Sequence, residues 1–186
     1  MSAVEGSKRL SWALRHGALK LGLAIDASGW VCIADLLKTK EFNMFDYKHL
    51  EVIVSSDNKG RFSISQDQKF IRANQGHSAK VAEVLDDETM LKQLTEPCVA
   101  LHGTYRKVFE EHIKIEGLKP MGRKHVHFAS SEHARSGVRK DVQVLIYIDM
   151  KKAMADGLIF YKSQNEVILC PTEVPPQYFA RIVFFN

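Results

Sequence analysis

Apolar residues in the first half of the chain recur at helical spacing. Leu10, Ala13, Leu14, Gly17 and Ala18 share one stripe, which predicts a core-facing helix through residues 8–20. Trp12 and Leu19 fall on the other side, flanked by Arg15 and His16. That side is either a solvated face or an apolar ledge that turns a cationic pair toward a ligand. The turn DASGW (26–30) leads to a second helix over IADLLK (33–38), and a third is predicted over 45–55. Two short strands follow at 61–65 and 69–74. In the first, Phe62 and Ile64 alternate with Arg61, Ser63 and Ser65. Three helices followed by a hairpin is a winged-helix arrangement, a class that often binds nucleic acid. Trp12, Trp30 and Phe62 are expected in the core rather than as platforms for stacked bases.

The pattern changes downstream. Strands are predicted at 98–104 and 125–130, around an amphipathic helix YRKVFEEHIKIEG (105–117). VQVLIYIDM (142–150) reads as a buried strand, and LIFYKS, EVILCP and ARIVFF as further ones. The second half is therefore a mixed lobe with a largely antiparallel sheet, and the fold class is α+β. The acidic stretch 83–96, followed by Pro97, marks the boundary, dividing the chain into lobes 1–92 and 93–186.

Composition narrows the class. Of the 186 residues, 45% are apolar and 26% charged, as in ordinary globular proteins. No run of about eighteen apolar residues predicts a membrane span. The start, MSAVEGSKRL, has no apolar secretory core. Three cysteines, Cys32, Cys98 and Cys170, are far apart and form no CxxC pair, so reduced thiols in a soluble cytoplasmic or nuclear protein are expected. A net charge of +4 is modest, but its distribution is not even. Residues 119–140 hold six Lys or Arg against one Glu, a local basic surface suited to phosphate-bearing ligands.

Candidate chemistry is selected largely by what is missing. His125 and His127 form an HxH on a strand, but no Cys lies at zinc spacing, and no metal is expected. There is no P-loop, no GxGxxG and no GxSxG. What remains is a set of Arg and His in small-residue settings: LRHG, KGRF, ANQGHS, LHGT, MGRKHVHFA and RSGVR. Together they suggest a site lined by guanidinium groups, which grip phosphate with paired N–H donors.

These motifs, with LSWALRHGALKLGLAIDASGW and DGLIFYKSQNEVILCP, resemble in order and spacing the NAD-dependent tRNA 2'-phosphotransferases over residues 8–179. The resemblance implies a winged-helix RNA-binding lobe followed by an ADP-ribosyltransferase-like NAD-binding lobe. It implies that an internal RNA 2'-phosphate attacks C1'' of NAD+ and expels nicotinamide. The 2''-hydroxyl of the ADP-ribosylated RNA phosphate then attacks phosphorus, leaving 2'-OH RNA and ADP-ribose 1'',2''-cyclic phosphate. The expected partners are NAD+ and an RNA such as spliced tRNA, with the protein a monomer. Two alternatives are an ADP-ribosyltransferase that caps terminal phosphates, and a non-catalytic winged-helix nucleic-acid binder.

The family's catalytic set maps onto Arg15, His16, Arg61 and Arg123. Arginines aimed at nonbridging oxygens suit a step that loads charge onto a phosphodiester, and His16 would position the phosphate or transfer a proton. For NAD+, the resemblance points to His102, Gly103 and Thr104 of LHGT, to His127, and to Val167, where relatives with a different chemistry carry a Glu. Glu166 is adjacent, and strand parity sends it to the opposite face. Gln75, His77 and Ser78 are placed as polar contacts to RNA or cofactor. Arg139 contacts RNA or the NAD pyrophosphate, or is a solvated loop residue.

Overall fold

A computed structural model describes residues 3–132, 134 and 141–185. The chain separates into two compact units, Met1–Met90 and Leu91–Asn186.

In the first unit, α1 (Ala3–Trp12) runs directly into a π-helical turn, Ala13–Gly17. Leu10, Ala13, Leu14 and Ala18 are fully buried, the stripe expected from the periodicity. After Leu21 the chain stops on Gly22, with φ +67°, while Leu23 N donates to Ala18 O and Gly22 N to Leu19 O. That pairing is a Schellman stop, and its positive φ is cheap only for glycine. Asp26 then organises a turn by accepting from the N–H groups of Ser28 and Trp30.

The turn delivers a short strand absent from the sequence reading, β1 (Val31–Cys32), and then α2 (Ile33–Lys38) and α3 (Tyr47–Ser55). Asp46 and His49 close a reciprocal capping box at the start of α3. At Gly6 a Cβ would stand 2.7 Å from Ile53 Cδ1, so glycine is what lets α1 approach α3 closely. β2 (Phe62–Ile64) and β3 (Phe70–Ala73) form the hairpin, and the antiparallel sheet order is β1-β3-β2. The core gathers Leu10, Leu14, Leu36, Phe42, Leu50 and Ile71, all fully buried. Two short helices follow, α4 (Ala79–Ala82) and α5 (Asp87–Met90). Asp86 N bonds to Ala27 O at 2.9 Å, so the acidic stretch packs back onto this unit before it ends.

The second unit starts with β4 (Lys92–Gln93) and β5 (Leu101–Thr104). Its long helix is α6 (Arg106–Val108), a π turn (Phe109–Ile113) and α7 (Lys114–Glu116). β6 (Val126–Phe128) and β7 (Val144–Ile148) follow, then α8 (Met150–Ala155). The sequence reading ran a strand through residue 150. Asp149 instead accepts from Lys152 N and caps a helix there. β8 (Tyr161–Lys162), β9 (Ile168–Cys170) and β10 (Phe179–Phe184) complete two antiparallel sheets, β10-β7-β5 and β4-β8-β9-β6. They meet at reciprocal bonds between Leu101 and Ala129 (3.0 and 2.8 Å). Phe128, Phe160, Ile146 and Ile168 fill the core. A Phe at such a position contributes about 3–5 kcal/mol against Ala. The architecture is α+β with antiparallel sheets. Among the described residues, no helix is long and apolar enough to cross a membrane.

Candidate functional site

In the first unit the π turn carries Arg15 and His16. Such wide turns recur at functional sites because they turn a side chain off its helical face. Small residues allow it here: at Gly17 a Cβ would lie 2.9 Å from Cη2 of Trp12. Trp12 therefore covers Gly17 and stays 39% exposed, not in the core as expected from composition. Arg15 is half-buried and His16 exposed.

The segment after β3 closes over Arg15. Gly76 has φ +88°, and a Cβ there would meet Arg15 Cζ at 3.3 Å and Nε at 3.4 Å. The Arg15 carbonyl accepts from Ser78 N at 2.9 Å. The side-chain carbonyl of Gln75 is buried with no hydrogen-bond partner among the described residues. Leaving an acceptor so costs about 1–3 kcal/mol, which a ligand's donor would recover. His77 is buried, with Nε2 beside Gly29. Trp30, also expected in the core, lies half-buried under Arg72, whose Cζ stands 4.5 Å from the ring centroid. Desolvation lowers the Arg72 pKa, with Asp26 opposing, and Arg72 Nη1 donates to Ser28 O.

Arg61, just before β2, is held on several sides. Nε donates to Asp57 Oδ1 at 3.0 Å, and Nη2 reaches the same oxygen at 2.9 Å and Ser7 Oγ at 2.9 Å. The backbone N–H of Arg61 donates to Asp57 Oδ2. Phe62 packs beneath, its centroid 5.5 Å from Cζ.

In the second unit, β5 brings His102 to β6. The His102 ring bonds through Nδ1 to His127 O at 3.0 Å, and the His127 ring through Nδ1 to His125 O at 2.9 Å. A carbonyl only accepts, so each Nδ1 carries a proton. Burial pushes the His102 pKa below its usual value, with the bond to the His127 carbonyl opposing, so the ring stays neutral. The neutral His102 ring keeps Nε2 as an acceptor, which suits a ligand that offers a hydroxyl or amide N–H donor. Gly103 pairs with Leu145, and Thr104 is buried with its carbonyl accepting from Gln143 N at 2.9 Å.

Arg123 is exposed in the turn before β6, after Met121 with φ +56°. Val167 is fully buried and bonded to Ser163 through both N and O. Glu166 sits at the tip of the β8–β9 hairpin with φ +66°, exposed and ion-paired with Lys162. Arg139 lies outside the described residues.

The structure thus joins Arg15 to Gly76 and Ser78, and His102 to His127. Val167 immediately precedes β9, whose Leu169 pairs with His127 in the same sheet. Three residues escaped the sequence reading. Asp57 had a signal, since an Asp three residues before a Gly is turn chemistry. Gly76 lies within the ANQGHS motif, but its contact with Arg15 had no signal, and neither did Ser7, because these contacts are distant in sequence. Among the described residues there is no group of three or more His, Cys, Asp or Glu able to hold a metal ion.

The profile of the RNA 2'-phosphotransferase, Tpt1 / KptA family matches residues 1–172. The chain is 37% identical over 190 residues to tRNA 2'-phosphotransferase 1 of Danio rerio, covering 96% of this chain and 84% of that protein. It is 37% identical over 190 residues to the Homo sapiens protein of the same name, covering 95% and 74%. It is 39% identical over 176 residues to the probable RNA 2'-phosphotransferase of Flavobacterium johnsoniae, covering 92% of each. With a match that spans most of its length and relatives aligned over more than nine-tenths of it, the chain belongs to the RNA 2'-phosphotransferase, Tpt1 / KptA family.

Proposed function

We propose that this enzyme transfers an internal RNA 2'-phosphate, such as that of spliced tRNA, to NAD+. The observation that carries the reading is Arg15, set on a π turn and backed by the glycine of the 75–78 segment. A guanidinium fixed in this way binds phosphate without a large ordering cost. We read residues 1–92 as a winged-helix RNA-binding lobe, which the three helices and antiparallel hairpin support. Residues 93–186 we read as an ADP-ribosyltransferase-like NAD lobe. The three free cysteines suit the cytoplasm or nucleus.

NAD+ supplies the electrophilic sugar carbon and the hydroxyl that finally takes the phosphate, ending as ADP-ribose 1'',2''-cyclic phosphate and nicotinamide. The residues present fit it. The neutral ring of His102 offers an acceptor to a ribose hydroxyl or a carboxamide, with Gly103 next to it on β5 and His127 bonded to it through its carbonyl. Arg15, Arg61 and Arg123 neutralise the phosphate. Their contribution grows as charge builds on the phosphodiester in the second step. His16 is exposed, and its imidazole holds the phosphate or relays the hydroxyl proton. Val167, apolar and buried, brings no carboxylate to the sugar.

The test is incubation with a short RNA carrying one internal 2'-phosphate, with and without NAD+. The expected products are 2'-OH RNA and the cyclic phosphate, only when NAD+ is present. ADP-ribosylated RNA as the end product, or no reaction, would overturn the reading.

A further inference from the structure

We propose that Asp57 is a positioning residue that fixes Arg61 so that its Nη1 edge alone meets the substrate phosphate. The inference rests on the reading of Arg61 as a phosphate-binding residue. The Asp57 side chain is 1% exposed and that of Arg61 30% exposed. Both carboxylate oxygens serve the same residue: Oδ2 takes the backbone N–H of Arg61, and Oδ1 takes Nε and Nη2. Gly60 N closes the turn onto Asp57 O at 2.9 Å, and Asn74 Nδ2 holds Gly60 O at 2.8 Å.

A guanidinium has five N–H donors. Asp57 takes the Nε hydrogen and is ion-paired with Nη2 at 2.9 Å, and Ser7 takes an Nη2 hydrogen. Among the described residues nothing takes the two hydrogens on Nη1, which remain for a ligand oxygen. The side-on fork, the usual means of gripping an oxyanion, is thus spent on the protein itself. Burying a carboxylate to pair with one arginine brings little net stability, since desolvation offsets the attraction. What it does provide is a fixed direction for the remaining donors, which a step sensitive to charge placement needs.

The test compares Asp57→Asn, Ser7→Ala and Arg61→Lys, alone and combined, in single-turnover assays that resolve the two steps. Displacing the guanidinium by an ångström costs about a hundredfold at most, so Asp57→Asn should slow the second step by about ten- to a hundredfold and the first by less. Ser7→Ala, which keeps the Asp57 contacts, should act in the same direction more weakly. With Arg61→Lys already present, Asp57→Asn should change the second step by less than about twofold, because the fork it holds is gone. A nitrogen-15 spectrum gives an independent readout. The Arg61 Nε–H signal, identified by its loss in Arg61→Lys, should be slow to exchange in the native protein and fast in Asp57→Asn.

Equal slowing of both steps by Asp57→Asn, or effects that multiply with Arg61→Lys, would show a merely structural role and overturn the proposal. A native second step in Arg61→Lys would instead overturn the reading of Arg61 itself, and this inference with it.

Discussion

Arg15 rests against the backbone of Gly76, where a Cβ would stand 3.3 Å from Cζ and the backbone φ is +88°. Two constraints meet at this glycine. A side chain would be strained by the backbone, at about 1–2 kcal/mol, and would push on the guanidinium. Gly76→Ala should therefore lower stability by at least about 1 kcal/mol and cut turnover more than that loss accounts for. Thermal unfolding and initial rates on the same preparation check it. Native turnover would mean that Arg15 needs no such backing.

The neutral ring of His102 makes stability depend on pH. Burial holds its folded pKa below the ordinary value, with the His127 carbonyl opposing. The unfolded chain takes up that proton first, near pH 6.5. The stability carried by this residue is thus complete above about pH 6.5 and is lost as the pH falls through the folded value. His102→Asn keeps a donor for the His127 carbonyl but does not titrate. Its melting temperature should fall less than the native one between about pH 7 and pH 5. Parallel curves would place the acid sensitivity elsewhere.

Glu166 occupies a left-handed position at the third residue of its hairpin loop, with φ +66°. Glycine is the residue that tolerates this conformation. Its ion pair with Lys162 is exposed and worth at most about 1 kcal/mol. Glu166→Gly should be neutral or stabilising, by up to about 1 kcal/mol, with turnover unchanged. A collapse of turnover would identify a catalytic carboxylate there and displace Val167 from the cofactor set.

Arg123 is exposed in its turn, so its truncation removes little packed surface. Arg123→Ala should accordingly fold as the native protein does and slow the second chemical step more than the first. Accumulation of ADP-ribosylated RNA during a single turnover is the signature. Loss of the first step alone would give Arg123 a role in binding NAD+ instead.

Periodicity along the chain determined which faces are buried. Leu10, Ala13, Leu14 and Ala18 follow from spacing alone, as does the shared face of Phe62 and Ile64, because burial of one face is a local pattern. The motif order also determined the family, since each short motif is contiguous. The strand Val31–Cys32 was not legible, because two residues carry no period and exist as a strand only through pairing with β3. Nor was α8, which follows β7 with only the Asp149 cap between them and no separate turn residues to mark the change. Tertiary structure decided the orientation of the arginines. Arg61 depends on Ser7, 54 positions away, and Arg15 on Gly76. A hydrogen-bond donor is aimed by whatever packs around it, and those neighbours come together only when the chain has folded.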